Sequence, residues 1–206
     1  MSEDQRRLGM VVDLALCIGC NACVVACKME NDTPQDCFNT RIESWDVGEY
    51  PTVARANMPR QCGHCENAPC ISVCPTGASY RADDGTVLID YDKCIGCKYC
   101  MAACPYQSRW VDPEQGHVDK CTFCSHRTAN GLLPACVSSC ITHARLFGDL
   151  NDPESDVAKK MASCNAETYL DELGLNPKVR YVGLSQTLGL KRASVTHQGG
   201  IKVDKA

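Results

Sequence analysis

The stretch "CIGCKYCMAACP" runs from Cys94 to Pro105. Its four cysteines have two, two and three residues between them, and a proline follows the last. The arrangement recurs along the chain. Of 18 cysteines in 206 residues, all but two fall into groups of four. Group one is Cys17, Cys20, Cys23 and Cys27, and group two is Cys62, Cys65, Cys70 and Cys74. Group three is Cys94, Cys97, Cys100 and Cys104, and group four is Cys121, Cys124, Cys136 and Cys140. Cys37 and Cys164 stand apart and read as structural thiols. Such a density normally marks a disulfide scaffold, but those scaffolds are short secreted domains without a sufficient core. This chain is long enough for one or two ordinary domains, so its grouped thiols point to metal instead.

Cysteines at CxxC spacing turn two sulfurs toward one point, where thiolates repel unless a cation neutralises them. Zinc usually takes two CxxC pairs far apart. The run CxxCxxCxxxCP is instead that of bacterial [4Fe–4S] ferredoxins, in which three thiolates hold one cluster and the fourth reaches its neighbour. Groups one and three match the spacing fully; groups two and three carry the proline, as Pro75 and Pro105. Group two has four residues between Cys65 and Cys70, and group four has eleven between Cys124 and Cys136. These read as enlarged loops, because each group still has four cysteines. The expectation is four [4Fe–4S] clusters on these sixteen cysteines. Gly19 and Gly96 would let backbone approach the sulfides, while Ile18, Val24, Val25, Ile95 and Met101 would keep water away.

The surroundings repeat as well. "VVDLALCIGC" and "VLIDYDKCIGC" each pass from an apolar strand through Asp13 or Asp90 to CIGC. A hairpin is expected at Ala78–Ala82 and Thr86–Asp90 around Asp83-Asp84-Gly85, and a second one turning at Asp112–Gly116. Short helices running beyond the loops are expected to begin at "VVAC" and "MAAC", and strands with turns are expected over 28–61. Asp152 and Pro153 read as the cap and first position of a helix, and a second helix is expected over Ala166–Leu173, ending at Gly174. From about Leu184 the chain has too few large apolar residues for a core of its own, so an ordered tail would lie on another surface. The fold class is α+β: two ferredoxin-like modules and a helical or extended C-terminal extension. No stretch has the ~18 apolar residues of a membrane span, and Asp13 interrupts any signal-peptide core. The net charge of −4, without a basic run, gives no sign of nucleic-acid binding. Lys28, Lys93, Lys98 and Lys120 adjoin ligand cysteines; they either soften cluster charge or are ordinary solvated lysines.

Taken together, "CIGCNACVVACKMEN", "QCGHCENAPCISVCPTGA", "CIGCKYCMAACPY" and "DKCTFCSHRTANGLLPACVSSC", followed by "ARLFGDLNDP", resemble a known family. It is the four-cluster iron–sulfur subunits of dimethyl sulfoxide reductase-type molybdopterin oxidoreductases, with a lean toward the polysulfide, thiosulfate and tetrathionate reductase branch. The resemblance spans about residues 9–150. It implies a non-catalytic subunit that relays electrons between an integral membrane quinone-binding subunit and a large molybdopterin (Mo or W) catalytic subunit. It also implies a pairing that spacing alone leaves open. One cluster takes Cys17, Cys20, Cys23 and Cys140; another takes Cys121, Cys124, Cys136 and Cys27. A third takes Cys62, Cys65, Cys70 and Cys104, and a fourth takes Cys94, Cys97, Cys100 and Cys74. Residues 1–58 with 118–150 then form one module, 59–117 the other, and 151–206 an extension that packs on a partner. By the same resemblance group one's cluster lies nearest the catalytic subunit and group three's nearest the quinone. The protein is placed peripherally in a membrane-associated complex, with the periplasmic face favoured over the cytoplasmic one.

No catalytic triad, paired carboxylates or phosphate loop is recognisable, so no catalytic residue is assigned. His64 and His126 lie within cluster motifs and are expected to pack or hydrogen-bond there, since each group already has four thiols. Two rival readings remain: a free-standing polyferredoxin, which would need little beyond its cluster modules, and a zinc-bound interaction module, which would be colourless.

Overall fold

The computed structural model describes residues 6–189. The first strand, β1 (Leu8–Asp13), is buried along its whole length. Such an apolar run suits a strand covered on both faces. It leads into the group one loop and α1 (Ala22–Glu30). A long hairpin follows, β2 (Thr40–Glu49) paired with β3 (Thr52–Gln61). Group two contains α2 (Pro69–Ser72) and opens into the hairpin β4 (Ser79–Arg81) and β5 (Val87–Ile89). Group three repeats the plan with α3 (Tyr99–Ala102), β6 (Arg109–Val111) and β7 (Val118–Lys120). Both hairpins lie where the turn residues predict them.

Group four contains α4 (Ser125–Thr128) and α5 (Ala135–Ser138), and the chain returns in β8 (Arg145–Asp149) to pair antiparallel with β1. Beyond it lie α6 (Asp156–Ser163), β9 (Ala166–Glu167) and β10 (Val179–Val182). β10 pairs parallel with β1, setting Met10 beside Val179 and Val12 beside Tyr181. The sheet order is β8-β1-β10-β9. One buried core gathers Leu8, Met10, Val12, Phe147, Val179 and Tyr181 from these strands, with Cys23, Cys62, Cys121 and Cys136. A second gathers Cys65, Cys70, Val87, Cys100, Tyr106 and Val118.

Four local expectations need correction. α3 stops at Ala102, one turn long, whereas α1 runs beyond its loop as expected. The cap of α6 is Ser155, whose Oγ accepts from Ala158 N–H at 3.2 Å; Asp152 instead holds a preceding turn by accepting from Glu154 N–H. Residues 166–173 are not one helix. Ala166 and Glu167 pair with β10, and only Asp171–Leu173 turn helically before Gly174 at φ 63°. Strand pairing outweighs the weak helical preference of this segment. Finally, Leu184 is buried in the first core with Leu188 packed against it, so the segment after β10 starts by joining the protein's own core. The rest of the expected tail, 190–206, lies outside the described residues.

The cysteine loops share one backbone plan. In every group the third cysteine is the second residue of a short helix: Cys23 in α1, Cys70 in α2, Cys100 in α3, Cys136 in α5. In every group the residue before the second cysteine has positive φ: Gly19, His64, Gly96 and Phe123. Glycine adopts that conformation freely, whereas other residues are strained there. At Gly96 a side chain also has no room, since a Cβ would lie 2.5 Å from the carbonyl oxygen of Gly116 in the β6–β7 turn. Gly77, with φ 68°, faces open space. Gly77→Ala should cost about 1 kcal/mol from backbone strain alone, and Gly96→Ala clearly more. Loss rates of visible cluster absorbance in denaturant, measured on both variants, check the order.

Candidate iron–sulfur site

Three spaces open between the modules' short helices and loops, and each is lined by four cysteines. One of about 310 Å³ is lined by Cys27, Cys121, Cys124 and Cys136. A second of about 320 Å³ is lined by Cys74, Cys94, Cys97 and Cys100. A third of about 330 Å³ is lined by Cys62, Cys65, Cys70 and Cys104. Each space thus takes three cysteines from one group and the fourth from another. The remaining cysteines are Cys17, Cys20, Cys23 and Cys140. Burial, then the neighbouring Cys23 and Cys140 thiols, act to raise Cys17, which puts three of these four near one another. Cys20 is exposed. Cys37 and Cys164 line none of the three spaces; Cys37 Sγ lies 4.0 Å from Val111 O, and Cys164 Sγ lies 3.7 Å from Ser163 Oγ.

The thiols are arranged at electrostatic cost. Burial, aided by Cys136 and Cys124, pushes the Cys27 thiol up to about 12. Burial and the neighbours Cys62, Cys70 and Cys104 push Cys65 up to about 12. Cys136 is pushed up to about 11 by burial, even with Arg145 drawing it down. Cys74 and Cys140 go the other way. Burial opposes their ionisation, but hydrogen bonds from Ser79 N–H and Arg145 N–H, respectively, lead the donors that outweigh it. Crowded thiols of this kind ionise together only around a positive core.

The donor set fits [4Fe–4S] better than zinc. A single zinc ion with bonds of ~2.3 Å needs its sulfurs within about 4 Å of one another. Among the described residues no three Cys, His, Asp or Glu side chains converge as one ion requires, whereas each quartet surrounds a larger space. Backbone N–H groups also aim at the sulfurs, as they do around clusters. His64 N donates to Cys62 Sγ at 3.5 Å, Phe123 N to Cys121 Sγ at 3.4 Å and Val118 N to Cys94 Sγ at 3.5 Å.

The two histidines take structural places. His64 is fully buried, accepts from Val87 N–H at Nδ1 (3.1 Å) and stacks on Phe123 with ring centroids 3.7 Å apart. Burial, then Lys120, holds it well below its ordinary pKa, so it is neutral. The stack joins the strained loop positions of groups two and four, and such a ring contact helps offset backbone strain. His126 is half exposed and contacts Glu30 Oε1 at 2.8 Å. Of the four lysines, Lys93 pairs with Asp90 at the surface, Lys98 is exposed, and Lys28 donates to Pro34 O and Cys37 O. Lys120 does not fit the solvated reading: it is fully buried and donates to Val87 O and Cys121 O.

Three buried residues escaped the sequence reading: Arg109, Arg145 and Phe123. A signal for the arginines was present, since each stands five residues after the fourth cysteine of its group, in "CPYQSR" and "CITHAR".

Comparison with known proteins defines the class. Two profiles, both of the 4Fe-4S dicluster domain, match residues 53–150 and 16–78. With sixteen grouped cysteines, two dicluster units correspond to four [4Fe–4S] clusters. The B component of tetrathionate reductase from Salmonella typhimurium is 43% identical over 184 residues, covering 87% of this chain and 74% of that protein. The B component of polysulfide reductase from Wolinella succinogenes is 46% identical, covering 84% and 93%. The B component of sulfite dehydrogenase from Allochromatium vinosum is 40% identical, covering 88% and 85%. The protein belongs to the iron–sulfur subunits of dimethyl sulfoxide reductase-type oxidoreductases, which are non-catalytic electron-transfer subunits.

Replacing Cys37 or Cys164 with serine should leave iron per chain unchanged, whereas Cys136→Ser should lower it. Iron analysis of anaerobically purified protein tests this assignment.

Proposed function

We propose that this chain relays electrons between a membrane quinone-binding subunit and a molybdopterin catalytic subunit. Its sixteen grouped cysteines would hold four [4Fe–4S] clusters in the pairing Cys17/Cys20/Cys23/Cys140, Cys121/Cys124/Cys136/Cys27, Cys62/Cys65/Cys70/Cys104 and Cys94/Cys97/Cys100/Cys74. The observation that carries this reading is the lining of the three spaces, each by three cysteines of one group and one of another. Bound there, the clusters supply one-electron carriers.

The chain's own residues do the rest. The helices and loops aim thiols and N–H groups inward, and Val87, Val118 and Phe123 exclude water around them. The His64–Phe123 stack brings groups two and four together at the meeting of the modules. Apolar side chains are left in solvent around all four groups: Leu16, Ile18, Val25 and Met29 at group one, Val73 at group two, Ile95 and Tyr99 at group three, and Leu132, Leu133 and Ile141 at group four. Exposed apolar groups spread so widely favour fixed partners over a freely diffusing carrier. Group one then faces the catalytic subunit and group three the quinone side, within a peripheral part of a membrane-associated complex. Among the described residues no helix is long and apolar enough to cross a membrane.

Cys100→Ser tests the order. Serine is a harder ligand than thiolate, so group three's cluster should be lost or shifted. Quinone-linked activity should fall at least tenfold, while activity with a dye that reaches the catalytic subunit directly should persist in an assembled complex. Equal loss of both activities refutes the order. Quinone activity untouched in Cys100→Ser, with dye activity spared in Cys20→Ser, reverses it.

A further inference from the structure

Arg109 and Arg145 are buried cations in equivalent places. Each follows the fourth cysteine of its group by five residues and opens the next strand, β6 or β8. They are 7% and 2% exposed, and among the described residues neither has a carboxylate partner. An isolated buried charge is very costly unless an opposite charge compensates it. Here the nearest groups able to carry negative charge are the cysteines.

Arg109 lines both the Cys62/Cys65/Cys70/Cys104 space and the Cys74/Cys94/Cys97/Cys100 space. Its Nη1 donates to Ser79 Oγ at 2.9 Å, and Ser79 itself stands five residues after Cys74. Its Nη2 is buried without a hydrogen-bond partner. Arg145 lies one layer further back. Its Nη1 donates to Gln61 Oε1 at 2.9 Å and its Nη2 to Thr40 Oγ1 at 3.0 Å, and both acceptors line the Cys27/Cys121/Cys124/Cys136 space. Cys136 and Cys23, one from each quartet of that module, are its leading charged neighbours.

We propose that Arg109 and Arg145 are the fixed counter-charges of the two modules, each raising the reduction potentials of its own module's cluster pair. A thiolate-bound cluster is anionic and gains a further negative charge on reduction, and net charge is among the factors that set its potential. A guanidinium stays protonated throughout, so in a poorly screened interior it favours the reduced form. Arg109, bordering both of its spaces, acts more strongly than Arg145. These are positioning residues, acting through charge on the ligand sets. The inference rests on the cluster assignment proposed above.

The test is a potentiometric titration, followed by electron paramagnetic resonance, of the anaerobically purified complex. Signals are assigned to modules with Cys20→Ser and Cys100→Ser. In Arg109→Gln, at least one cluster of the group two and three module should drop in potential. At its original midpoint its reduced-to-oxidised ratio should fall about tenfold, about 59 mV for one electron, while the other module stays within twofold. Arg145→Gln should act on groups one and four, less strongly. Arg109→Lys and Arg145→Lys, which keep the charge, should stay near the original potentials. Glutamine variants with full iron and unmoved or raised potentials would overturn the inference, as would shifts confined to the wrong module. Should glutamine cost a module its iron, the lysine variants decide. Original potentials uphold the role of charge; a tenfold shift, or equal iron loss with lysine, overturns it. Iron well below sixteen atoms in the unaltered complex, the ligand count of four quartets, counts against the cluster assignment and not against the arginines.

Discussion

Four thiolates can share one small space in a protein interior only if positive charge lies among them. This repulsion organises the whole chain. Burial and mutual proximity drive Cys27 and Cys65 up to about 12, so without a positive core these quartets are held as neutral thiols. A cationic cluster converts that cost into attraction. The fold serves this end with mostly short elements of regular structure. Three of the helices that carry a third cysteine, α2, α3 and α5, have four residues each. Helices so short are not stable by themselves; they are turns held by the packing of their third cysteines into the two cores.

The two modules differ in how they are closed. Groups two and three are joined by nearby hairpins, and their core is drawn largely from residues between 65 and 118. The other core needs β1 from the start of the chain, β8 from the middle and β10 from near its end. Between the modules lies a contact of unusual composition, His64 stacked on Phe123 with buried Lys120 beside it. In groups one and three the corresponding loop residues are glycines. The strained backbone position is therefore common to all four loops, but only at the inner pair is it occupied by rings that meet.

Much of this could be read from cysteine spacing, because ligand geometry is local. The four groups, the enlarged loops of groups two and four, and both short hairpins follow from residues within a few positions of one another. What stayed hidden depends on distant partners. "VRYV" at Val179–Val182 is too short to be read as a strand by itself, and it is fixed as one by pairing with β1, far away in sequence. Ala166 and Glu167 follow it for the same reason. Ser155 displaced Asp152 as the cap of α6 because its hydroxyl also donates to Asp149 O, at 2.6 Å, tying the helix to β8. Lys120, Arg109 and Arg145 look like surface residues by type, and only the folded chain reveals that thiols surround them.

The exchange of fourth cysteines between groups also has a consequence in time. The space bordered by Cys27 needs Cys121, Cys124 and Cys136, which are made roughly a hundred residues later. A chain emerging from the ribosome N-terminus first therefore displays group one's thiols long before their counterparts exist. The space lined by Cys62, Cys65, Cys70 and Cys104 can be finished by a much shorter nascent chain. Under the proposed pairing the hairpin module can therefore be completed first and the sheet-bearing module last. In that interval group one's thiols stand without the residues that later enclose them.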